Sequence, residues 1–152
     1  CLVGSEMCIR DRIYYYLGEY QKAYLALDEA RDKGGADSYL YLGRAYAATG
    51  DYNYASSVYN NYLSKQGPNA EIYNELGLCE MAKKEYQNAL AAFQAGKQIE
   101  GNSLMQTLCF NEIVAYEYLE DYQQAEVLMN AYLQNYPDDQ TAIREQQFLS
   151  TR

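Results

Sequence analysis

The sequence predicts an all-α solenoid of stacked helical hairpins, and three observations carry that expectation. The pattern acidic-Tyr-x-x-Ala occurs at Glu19-Tyr20…Ala23, Asp51-Tyr52…Ala55, Glu85-Tyr86…Ala89 and Asp121-Tyr122…Ala125. The tyrosines are 32, 34 and 36 residues apart, a period that belongs to stacked-repeat architectures. Within each period, apolar residues fall three and four apart, as on one face of a helix. A chain organised in this way is first a binding scaffold.

Taken in order, residues 13–35 form a truncated first unit, closed by Gly34-Gly35. Residues 36–69 form the second. There Tyr39, Leu42, Gly43 and Tyr46 share a helical face, Gly50-Asp51 interrupts it, and a second helix follows with Ala55 and Tyr59. Gly67-Pro68 ends the pair, and Pro suits the opening of the next helix. Residues 70–102 repeat the scheme from Tyr73, Leu76 and Gly77 through Ala89 and Phe93 to the break at Gly101-Asn102. Residues 103–137 carry Tyr116, Tyr122, Ala125 and Met129 and end at Pro137. Residues 138–152 start with Asp138-Asp139, favoured by the helix dipole, and carry Ile143, Phe148 and Leu149 as an apolar side. They are expected to form a helix that caps the last hairpin.

These residues resemble the tetratricopeptide repeat, whose pattern is a bulky aromatic, Leu-Gly, Tyr, Ala, a second aromatic and Pro. The second unit fits best, with Pro68 one place late. The third has Glu80 where Tyr is expected and lacks the Pro. The fourth places Cys109, Glu112 and Ile113 at the aromatic, Leu and Gly positions. The resemblance covers residues 13–138 and implies a right-handed α-solenoid of about four hairpins. Gly43, Gly77 and the four alanines are expected where helices approach closely, and the recurrent tyrosines where neighbouring hairpins meet. The chain has nineteen Tyr and no Trp, and packing is the role expected for most of those rings.

The beginning of the chain reads differently. Residues 1–11, CLVGSEMCIRD, resemble the in-frame translation of a transposase adapter used in sequencing libraries. Residues 1–12 are therefore expected to be an artefact and are excluded from fold reasoning.

Composition narrows the function. Lys+Arg is 12 against 21 Asp+Glu, a net charge of -9. An acidic surface repels phosphate backbones, so nucleic acid is not expected as a direct partner. There is no His, which excludes His-based acid/base chemistry and His metal ligation. No Gly-rich phosphate loop or Gly-x-Ser-x-Gly elbow is present. No catalytic residue, metal site or cofactor is expected, and the chain is read as not an enzyme. No apolar run is long enough to span a membrane. Outside residues 1–12 only Cys79 and Cys109 remain, expected as buried free thiols rather than a disulfide framework. Nothing here specifies a compartment, and cytoplasm is the default.

In the resembled family the first helices of successive repeats line a concave groove. Carried over by position, the second unit contributes Asp37, Leu40, Tyr41, Arg44 and Ala48. The third adds Glu71, Asn74, Glu75, Leu78 and Met81; the fourth adds Phe110, Asn111, Val114, Glu117 and Tyr118. This mixture suits a protein or peptide partner with apolar anchors and a basic residue. One branch of the family grips a chaperone's C-terminal carboxylate with Lys, Arg and Asn. The matching places here hold Leu40, Arg44, Glu71, Asn74 and Glu75, and the two glutamates oppose a carboxylate. The leading expectation is a scaffold or adaptor that holds a partner's peptide or helix in the groove. The alternative is a ligand-sensing, regulatory segment of a larger protein whose N-terminal domain is missing.

Overall fold

The computed structural model describes residues 13–31 and 36–152. The adapter reading at residues 1–12 and the Gly34-Gly35 turn lie outside the described residues. Residues 13–16 are helical and precede α1 (Tyr20–Arg31). Then come α2 (Ala36–Ala48), α3 (Tyr52–Gln66), α4 (Ala70–Ala82), α5 (Tyr86–Lys97), α6 (Met105–Tyr118), α7 (Tyr122–Asn135) and α8 (Gln140–Leu149). Each helix packs on its sequence neighbours, and α2 also touches α4. No strand occurs among the described residues. The chain is an all-α solenoid of helical hairpins.

The acidic-Tyr motif marks where each second helix starts. Asp51 accepts from the Tyr54 amide and Asp121 from the Gln124 amide, both at 3.1 Å, which satisfies one of the free donors of a helix N-terminus. Glu85 makes no such bond; its side chain is one methylene longer. The residue before each acid has a positive φ: Gly18 at 73°, Gly50 at 84°, Lys84 at 65° and Glu120 at 61°. That turn reverses the chain within each hairpin. Asn69 caps α4 through the Ile72 amide, and Asp139 caps α8 through Thr141 and Ala142.

The core is a row of small-against-large contacts. Ala23, Ala55, Ala89 and Ala125 are fully buried, as are Leu27, Tyr59, Phe93 and Met129 four residues on. A Cβ at Gly43 would lie 2.3 Å from the Tyr59 ring, and one at Gly77 would lie 2.3 Å from that of Phe93. In the fourth unit Ile113 stands at the Gly position and Met129 replaces the aromatic, and both are buried in one cluster. Bulk has moved from one helix to the other, which keeps the interface filled. The tyrosines at 20, 52, 86 and 122 are half-buried. Cys79 is buried and Cys109 half-buried, both free.

Candidate functional site

On the first helices, residues three, four and seven apart place Glu71, Asn74, Glu75 and Leu78 on one face of α4. Arg44 reaches across from α2. Its Nη2 donates to Glu75 Oε1 at 2.6 Å and to Glu71 Oε1 at 3.1 Å, and its Nε donates to Glu75 Oε1 at 2.9 Å. The same guanidinium sits 5.8 Å from the centre of the Tyr41 ring. Burial works against the charge on Arg44, but the hydrogen bonds and charge of Glu75, helped by Glu71, outweigh it and raise its pKa. One unit further, Asn111 Nδ2 donates to Asn74 Oδ1 at 2.9 Å, tying α6 to α4.

The carried-over positions are thus only partly surface. Leu40 and Tyr41 are 5 % and 6 % exposed. Tyr41 is covered by the rings of Tyr15 and Tyr16, with centroids 5.8 and 6.1 Å away and a 3.2 Å bond between the Tyr16 and Tyr41 hydroxyls. Asn74 is buried as well. These three act as packing and cross-links. Asp37, Ala48 and Glu71 are exposed, and Arg44, Glu75, Met81, Asn111 and Val114 are half-buried. Leu78 is 44 % exposed and Tyr118 is 57 % exposed. Tyr118 stacks on Tyr86 with centroids 4.9 Å apart, while Phe110 meets the edge of Tyr132 at 5.7 Å.

Sequence reasoning missed a cleft of about 310 Å³ at the far end. Gln106, Thr107, Tyr132, Asp139 and Thr141 line it together with Phe110 and Asn111. Tyr132 donates to Asp139 Oδ2 at 2.7 Å and shares a 3.1 Å bond with the Gln106 amide. Thr107 sits one period after Glu71, so the repeat spacing held the signal. The resemblance assigns Glu117 to the groove side but says nothing of its surroundings. Its Oε1 is buried with no hydrogen-bond partner. Burial, together with the charge of Glu145 on α8, pushes the Glu117 pKa up to about 7.

Among the described residues no group of three or more Cys, Asp or Glu is placed to hold a metal ion, and no helix is long and apolar enough to cross a membrane.

A solenoid of hairpins with charged, amide and apolar side chains on its first-helix face defines a helical-repeat interaction scaffold. Residues 48–102 match the family model of the tetratricopeptide repeat, and the helical hairpins have the tetratricopeptide-repeat fold. Solved structures share the fold at low sequence identity. A MamA AMB-1 structure is 21 % identical, with 97 % of this chain and 81 % of that one covered and a TM-score of 0.75. Pseudomonas aeruginosa pilF is 18 % identical, with 96 % and 67 % covered and a TM-score of 0.83. The second TPR domain of human RPAP3, in complex with an HSP70 peptide, is 16 % identical, with 72 % and 90 % covered and a TM-score of 0.64. No curated protein matches by sequence.

Proposed function

We propose that this chain is an interaction scaffold that holds a peptide or helix of a partner protein on its first-helix groove, through apolar anchors and one basic residue. The observation that carries the reading is Leu78, a large apolar side chain left 44 % exposed on the same helical face as Glu71 and Glu75. An exposed apolar group flanked by carboxylates suits an amphipathic segment whose cation meets the acids. Met81 on the same helix and Phe110 and Tyr118 on α6 extend the apolar surface, while Asp37, Arg44, Ala48 and Asn111 form its margins. Leu40, Tyr41 and Asn74 support this surface from beneath.

The peptide held by the RPAP3 domain belongs to a chaperone, and its likeness to this chain is one of fold. Here Glu71 and Glu75 occupy places where a ligand's terminal carboxylate would need cations, and Arg44 already directs Nε and Nη2 at them. An acidic tail is therefore a poor ligand for this groove.

A phage-displayed peptide library selected on the protein tests the reading. Enriched sequences should pair a large apolar residue with Lys or Arg, and their binding should weaken with added salt. Enrichment of acidic sequences, or competition unaffected by a Leu78→Asp substitution in a folded protein, would contradict it.

A further inference from the structure

The side chains packed between successive hairpins change in character from one junction to the next. Between the first and second hairpins, Tyr24 of α1, Tyr46 of α2 and Tyr54 of α3 form a continuous row of ring contacts. Tyr24 and Tyr46 lie 4.3 Å apart with their planes at 9°, and Tyr46 and Tyr54 lie 4.2 Å apart at 42°. One period on, the same three places hold Ser56, Glu80 and Asn88. A further period on they hold Leu90, Tyr116 and Gln124. Tyr116 again packs against the core on both sides. Among the described residues, the junction between the second and third hairpins is the one where all three places are polar.

Loss of the rings leaves a solvent-open cleft of about 500 Å³ on the side of α3, lined by Ser56, Glu80, Lys83 and a rim of Asn53, Asn60 and Asn88. Glu80 lies nine positions after Glu71, half a turn out of phase, so this cleft and the groove occupy opposite faces of α4. Its floor is built and buried: Ser56 is 5 % exposed and Glu80 is 7 % exposed. Ser56 Oγ donates to Glu80 Oε1 at 2.8 Å, and Lys83 Nζ meets the same oxygen at 2.7 Å. Both bonds fall on Oε1, which leaves Oε2 as an acceptor, and the Lys83 ammonium has donors beyond the one it uses. Burying a carboxylate is unfavourable beside the aromatic the repeat ordinarily places there, so packing alone does not account for it. The α3 side of the cleft is uncharged, because Lys65 is the one charged residue of α3 and does not line it.

We infer that this outer cleft is a second binding site and that it takes a primary carboxamide, the side chain of a Gln or Asn presented by a partner peptide. Such a group has two N–H donors and one carbonyl acceptor. One N–H is received by Glu80 Oε2 and the other by a rim asparagine carbonyl, while Lys83 or a rim amide donates to the ligand oxygen. A carboxylate of the same shape is refused, because it has no proton for Glu80 and meets its charge. The site does not depend on the groove being occupied.

Two probes of equal shape test this: N-acetylglutamine N-methylamide and its glutamate counterpart, each titrated into 15N-labelled protein. The glutamine probe should give saturable shifts at Asn53, Asn60, Glu80 and Asn88, and the glutamate probe at least fivefold weaker ones. Glu80→Tyr restores the aromatic of the neighbouring repeats and should abolish the shifts. Asn60→Ala, on the exposed rim, should weaken binding at least threefold with the fold intact. Equal shifts from both probes, or shifts that survive in Glu80→Tyr, would overturn the assignment, as would the absence of saturable shifts in the parent protein.

Discussion

The ring of Tyr59 lies so close to Gly43 that a Cβ on the glycine would stand 2.3 Å from Cε1. Gly43→Ala must push α2 and α3 apart, and overpacking of this kind costs about 1–3 kcal/mol. Urea unfolding followed by circular dichroism should show the loss. The Tyr59 hydroxyl is buried with no hydrogen-bond partner, and burial drives its pKa upward. Tyr59→Phe, which matches Phe93 one period on, should therefore raise stability by about 1 kcal/mol.

A backbone contrast separates the four hairpin turns. Glycine holds the positive φ at positions 18 and 50, whereas Lys84 and Glu120 adopt 65° and 61° with a side chain attached. L-residues are disfavoured there. Glu120→Gly should stabilise the protein by roughly 0.5–1 kcal/mol, while Gly50→Ala should destabilise it by a similar amount. Matched denaturation midpoints of the two variants check both signs.

Glu117 gives stability a pH dependence. Its pKa rises in the folded state from 4.5 to about 7, through burial and the charge of Glu145. The folded form thus holds a proton that the unfolded form releases. This contribution is fully present below about 4.5 and is lost as pH rises through about 7. Glu117→Gln should flatten that fall and gain about 1–2 kcal/mol at pH 8, allowing for partial solvent screening. Melting temperatures of both proteins between pH 5 and pH 8 provide the comparison.

The Cys79 thiol is pushed up to about 12 by burial, with Glu75 and Glu80 adding to the shift. Little thiolate exists near neutrality, and access is closed. Cys79 should resist iodoacetamide at pH 8 in the folded protein and react fully in denaturant, as read by peptide mass mapping.

The period and its Gly, Ala and aromatic places made the helical solenoid legible from the sequence, even in the fourth unit. There Ile113 and Met129 exchange bulk across one interface, so the pattern looks degenerate while the packing does not. Residue faces were less legible. Leu40 and Tyr41 fall at positions that the resemblance assigns to the groove, yet Tyr41 lies beneath Tyr15 and Tyr16 and Leu40 is buried in the same core cluster, across a junction whose spacing is two residues shorter than the next. The setting of Glu117 depends on Glu145, which arrives from α8. The departure at Glu80 was visible in the repeat pattern, but the cleft it opens required Ser56 and Asn88 to be seen beside it.

The groove reading is tested most directly by calorimetric titration of a library-selected peptide into the parent protein and into Leu78→Ala. The substitution removes an exposed side chain, so circular dichroism should be unchanged. Affinity should fall roughly tenfold, about 1.4 kcal/mol, as for an apolar anchor. Full affinity in the folded variant would contradict the assignment of this face as the partner-binding surface.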